Sequence, residues 1–201
     1  MVAAMLGRLE EARRLLGEAH LAAVEMLGEP RTGTLQGSYR VEMLLGDPAA
    51  AEPYARQAYE MMHEHGDLSH SSTAAGDRAI VALELGHLEE ARRFAAECRD
   101  TSANDDVVNQ CIWRRVEARL LAGEGRYDDA ASLIREAVRW VEQTDMLLEQ
   151  AETAFDEAEI HRLAGRIGEA RSALHRARDA AERKGATVLV ERADRSLAEV
   201  R

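Results

Sequence analysis

Gly86-His87-Leu88-Glu89-Glu90-Ala91 decides the fold, because the same hexapeptide pattern returns along the whole chain. A glycine followed five residues later by alanine stands at Gly7 to Ala12, Gly46 to Ala51, Gly86 to Ala91, Gly125 to Ala130 and Gly165 to Ala170. The glycines are 39, 40, 39 and 40 residues apart. The positions nine after each glycine are Leu16, Ala55, Ala95, Ile134 and Leu174, all apolar. Those twelve after it are Ala19, Ala58, Cys98, Ala137 and Ala177, all small, and seven before it stand Tyr39, Ala79, Ala118 and Ala158. Forward offsets of 2, 5, 9 and 12 follow the helical period, so each glycine precedes an amphipathic helix. The small residues mark where a neighbouring helix approaches closely. The glycine itself fits a tight connection in the left-handed backbone region that only glycine enters cheaply.

The repeating unit is therefore a helical hairpin: helix A, a short glycine turn, helix B. The pattern predicts a lone helix B over 8–27, then pairs over 33–45 and 48–65, 71–85 and 88–99, 106–122 and 127–143, and 146–163 and 167–184. A last helix over 187–200 carries Leu189, Ala193 and Leu197 on one face and caps the array. The whole chain, 1–201, reads as a single repeat domain divided at 1–30 (truncated), 31–68, 69–104, 105–144, 145–185 and the capping segment 186–201. The run Thr101 to Asp106 offers good helix N-caps. Gly123 and Gly125 give the fourth repeat two glycines, which predicts a looser turn there.

Composition agrees. The 201 residues contain 36 alanines, only 4% aromatics and 3 prolines, which favours helices over sheets. The formal net charge is −11, with 10 basic and 17 acidic side chains in residues 1–100 and 16 and 20 in the remainder. Neither half has the positive footprint that nucleic-acid phosphates require, so nucleic acid is not an expected partner. No stretch approaches the length of a membrane span, and Met1 to Glu10 lacks the form of a secretory signal, so a cytoplasmic protein without membrane attachment is expected. Cys98 and Cys111 read as small buried residues rather than a disulfide.

The glycine turn and the small residues on both helices resemble the tetratricopeptide repeat, over essentially the whole chain. Its usual period is about 34 residues, so a 39–40-residue repeat is a lengthened variant. The run Asp105-Asp106-Val107-Val108-Asn109-Gln110-Cys111-Ile112-Trp113-Arg114-Arg115-Val116 is similar to the C-terminal repeats of large bacterial signalling proteins. So are Ala118 to Ala122, Thr144-Asp145 and Glu182 to Gly185. In those proteins an adenylate/guanylate cyclase or DNA-binding domain and an ATPase domain precede the repeats. The resemblance implies a right-handed α-α superhelix and a role in signal transduction or transcription regulation.

No sequence feature supplies chemistry. Nothing matches a phosphate-binding loop, and Lys184 is the only lysine. His63, His65 and His70 are zinc-ligand types, but His63 and His65 are two residues apart and diverge on a helix. His161 and His175 invite the same reading with no better geometry. Trp113 reads either as a peptide anchor or, as Val108, Ile112 and Val116 suggest, as packing. The acidic pairs Glu10-Glu11, Glu89-Glu90 and Asp128-Asp129 complement helix dipoles. No catalytic, cofactor or metal residue is expected.

What is expected is a non-catalytic scaffold that binds protein segments or other domains of a parent polypeptide; the alternative is a C-terminal piece of a multidomain cyclase. The tetratricopeptide register would place Gln36, Arg40, Thr73, Arg115, Arg119, Glu152, Glu159 and Arg162 on the concave face. The arginines among them suit the carboxylates of an acidic segment. The first glycine lies at position 7, so the first hairpin lacks most of helix A and exposes Leu9, Leu15 and Leu16. That predicts a fragment, or cover by a partner or a second copy in a homodimer.

Overall fold

The computed structural model describes residues 1–64 and 68–200, with 68–70 described as backbone alone. Among the described residues there are eleven helices and no strand. In chain order they are α1 (Val2–Met5), α2 (Leu9–Leu27), α3 (Thr32–Leu44), α4 (Pro48–Glu64), α5 (Leu68–Glu84) and α6 (Leu88–Thr101). They continue as α7 (Val107–Gly123), α8 (Tyr127–Val141), α9 (Leu147–Leu163), α10 (Ile167–Lys184) and α11 (Thr187–Glu199). Each helix packs on the one before and the one after it, so the chain is an all-α succession of helical hairpins.

The five repeat glycines perform one job. Each has a positive φ, between 70° at Gly7 and 79° at Gly125. In every case the glycine N–H bonds to the carbonyl three residues back, and the next N–H to the carbonyl five back from itself. Gly86 N to Leu83 O (3.1 Å) and His87 N to Ala82 O (2.8 Å) are one such pair. This closure satisfies the last carbonyls of helix A. The residue after the glycine then accepts the first bond of helix B, from the N–H of the repeat alanine, as in Ala91 N to His87 O at 2.9 Å. The fourth turn is no looser than the rest. Gly123 ends α7, while Gly125 N to Ala122 O (3.0 Å) and Arg126 N to Leu121 O (2.9 Å) reproduce the same closure.

Side chains facing between hairpins form the core. Ala51, Ala91, Ala130 and Ala170 are fully buried, as are Cys98, Ala137 and Ala177. The absent side-chain bulk lets helix backbones approach, and Ile134, Ile160, Leu35 and Leu189 fill the spaces between, contributing about 1.5–3 kcal/mol each. Gly76 on α5 is the tightest approach: a Cβ there would lie 2.9 Å from Ile112 Cγ2 and 3.2 Å from Cys98 Sγ. Asp106 caps α7 by accepting from Asn109 N at 3.1 Å.

The array's two ends meet. The segment α1 touches both α11 and α3. Thr187 Oγ1 donates to the Met5 carbonyl at 3.1 Å, and Met5 shares a buried cluster with Leu189 and Ala193. The first full helix is less well covered. Ala19 is exposed although its equivalents in the other four repeats are buried, and Leu15, Leu21, Met26 and Leu27 are exposed as well. Leu9 and Leu16 are half-buried.

Candidate functional site

The inner helices α3, α5, α7, α9 and α11 surround a cavity of about 510 Å³. Its wall is apolar where Met43, Leu44, Ile80, Ile112, Leu148 and Val188 face inward. The same helices bring charge to it. Arg115 on α7 is buried, and its Nε donates to Asp156 Oδ2 on α9 at 2.6 Å. Arg119, one turn later on α7, donates to Asp156 Oδ1 at 2.9 Å and to Glu84 Oε1 on α5 at 2.8 Å. Burial alone would raise the Asp156 carboxyl, but the two guanidinium groups outweigh it and hold it below the ordinary carboxylate value. Arg192 on α11 donates to Glu152 on α9 at 3.0 Å, and Arg40 on α3 lies 3.8 Å from Glu149.

Asp77 on α5 is different. It is only 5% exposed, lines the same cavity, and has no ion-pair partner within 4.0 Å among the described residues. Burial pushes its carboxyl up to about 7, against the opposing influence of the Arg40 guanidinium and the Tyr39 hydroxyl. A second, polar cavity of about 460 Å³ lies beyond the ion-pair cluster. Glu84, Asp156 and Arg192 line both, so these side chains form the partition between them.

Against this geometry the eight residues expected on a concave face separate into groups. Arg40, Arg115 and Glu152 line the larger cavity, and Arg119, Glu159 and Arg162 the smaller. Gln36 and Thr73 line neither; Thr73 is half-buried and accepts from Asn109 Nδ2 at 3.1 Å. Arg115 and Arg119 are occupied by carboxylates of this chain, and Glu159 and Arg162 are bonded to each other on one helix. Asp77 and Asp156 were not legible as cavity residues, since a single Asp in an amphipathic pattern reads as solvated. The remaining suspects pack. Cys98 is fully buried with its thiol pushed up to about 12 by burial, and Trp113 sits against the cluster around Phe94 with Arg114 over its ring at 4.0 Å. His65 and the His70 side chain lie outside the described residues; His63 Nε2 is 3.4 Å from Glu97. His161 is buried beside Glu157, while His175 is exposed. Among the described residues no group of three or more His, Cys, Asp or Glu is placed to hold a metal ion. No described helix is long and apolar enough to cross a membrane.

A crystal structure of BtubC (BKLC) from P. vanneervenii superposes with a TM-score of 0.59 at 16% identity, covering 89% of this chain and 75% of that one. The likeness is one of fold. No family model and no curated protein matches the chain. The helical-hairpin fold is thus shared with a solved structure at low sequence identity.

Proposed function

We propose that the chain is a non-catalytic helical-repeat module, a lengthened tetratricopeptide-like array that binds protein segments as a regulatory part of a bacterial signalling or transcription-regulating protein. The observation that carries this reading is the five-fold hairpin array, whose inner-face arginines Arg115, Arg119 and Arg192 are tied to carboxylates of the same chain. A partner segment would meet the inner face through groups still reachable from solvent, Arg40 and Arg162 first. Arg115 is unsuited to that role, because reversing its charge would set two buried carboxylates against each other.

The test is affinity capture by the full chain and by an Arg40→Glu/Arg162→Glu variant. A partner retained by the first and lost by the second supports the reading. Equal retention removes the inner face from it, and turnover of a nucleotide by the purified chain overturns the non-catalytic part. The exposed face of α2 favours a second reading, attachment to further domains such as a cyclase or ATPase, because Ala19 is bare where its repeat equivalents are covered.

A further inference from the structure

The cavity inside the ring of helices has the dimensions of a small-molecule site, which spans roughly 300–1,000 Å³. Its lining carries six carboxylate and four guanidinium side chains, an excess of negative charge. Within that lining Arg115 is held by Asp156, Arg192 by Glu152, Arg40 by Glu149 and Arg195 by Glu191, and Glu84 is held by Arg119 from outside it. Asp77 remains, nineteen-twentieths buried on a lining it shares with Ile80, Ile112 and Met43, with Tyr39 on the same lining and no cation within 4.0 Å among the described residues. A buried carboxylate is costly unless a charge or strong donors meet it. Here the fold supplies an apolar wall and one unneutralised anion, and leaves open space beside both.

We propose that this cavity binds a small organic cation, a protonated amine on an apolar body, with the ammonium on Asp77 and the body against Ile80, Ile112 and Leu148. The ammonium would complete the missing ion pair. An anionic ligand of the same shape would face Asp77 and the excess of carboxylates, and is excluded by them. This inference is independent of the protein-binding reading: a chain that captured a protein but no amine, or the reverse, would separate the two.

Binding is coupled to a proton. Burial raises the Asp77 carboxyl to about 7, and a bound ammonium favours its ionised form, so a fraction of a proton leaves on binding. Other charged and titratable groups line the same cavity or lie close to it, Glu84 on α5 among them, held by Arg119. From α3 come Tyr39, raised well above 10 by burial, and Arg40. From α6 comes Cys98, pushed up to about 12, and from α7 Arg115, which stays charged. From α9 come Glu149, Glu152 and Asp156, each beside an arginine, and from α11 Arg192 on Glu152.

The experiment is calorimetry of the full chain with phenylbutylamine, phenylbutanol and phenylbutyrate, in phosphate and in Tris at pH 7. The amine is expected to bind at least tenfold more tightly than the alcohol, the acid not at all. The observed heat should differ between the buffers, because a proton is released. Asp77→Asn should cost the amine at least tenfold in affinity while sparing the alcohol, and Leu148→Trp, which fills the wall but keeps Asp77, should weaken amine and alcohol together. Equal affinities for the three probes, an Asp77→Asn variant that binds the amine as before, or no binding of the amine by the wild-type chain would each overturn the proposal.

Discussion

Asp77→Asn is the substitution that interrogates the buried carboxylate most directly, and its effect on stability depends on pH in a calculable way. Folding moves this carboxyl from an ordinary value of 3.8 to about 7. At about 1.36 kcal/mol per tenfold change in proton affinity, that displacement corresponds to about 4 kcal/mol. Because the folded value is raised, the neutral acid is the form the fold accepts. The stability associated with it is fully present below about pH 4 and is lost progressively as the pH rises to about 7. Asparagine carries no charge to bury, so the variant should gain on the wild type as the pH is raised. Urea unfolding of both proteins at pH 5 and pH 8 should show the difference in stability moving by about 3 kcal/mol in favour of the variant. A difference that stays the same at the two pH values would refute the reasoning, since it would mean that Asp77 ionises in the folded chain as easily as in the unfolded one.

Other expectations follow from the same packing. Asp156→Asn strands the buried Arg115 and should cost about 3–5 kcal/mol in urea unfolding. In the wild type the lowered Asp156 value contributes stability above about pH 4 that disappears as the pH falls through that lowered value, visible as acid sensitivity absent from the variant. Gly86→Ala, at φ +76° with open space around the added methyl, should cost about 1–2 kcal/mol by backbone strain alone, measured as a lower urea midpoint. Gly76→Ala should cost about 1–3 kcal/mol for the opposite reason, a methyl driven against Ile112, and adding Ile112→Ala should return less than the sum of the two single losses. Thr187→Val removes the hydroxyl bond to Met5 O, so amide exchange in residues 2–8 should quicken by about tenfold while that of α8 is unchanged.

The hairpins were readable because everything that defines them is local. A glycine that must enter positive φ, an alanine five residues on and a helical period recur in each copy, and the helix boundaries observed lie within a few residues of those the pattern predicts. The second glycine of the fourth repeat misled only because Gly123 can end a helix without altering the turn that follows it. Features that depend on how hairpins accumulate were not readable. The meeting of Met5 with Thr187 joins residues 182 apart in sequence, and depends on small rotations summed over every hairpin between them. Arg115 has the spacing of an inner-face residue, yet nothing in the sequence says that Asp156, 41 residues later, will already hold it. Asp77 and Gly76 are neighbours in sequence, one sunk beside a cavity and the other pressed on Ile112. Which side of α5 meets which neighbour is a property of the packed array.

The junction between α1 and α11 changes the mechanical character of the molecule. A row of stacked hairpins free at both extremities behaves as a spring, lengthening a little at every joint when pulled. Here α1 is fastened to α11, so a pull that parts these two helices must undo that clasp before the hairpins between them can lengthen. Met1, Val188 and Leu189, which stand at this clasp, also line the larger cavity, so parting the two helices would open that side of it.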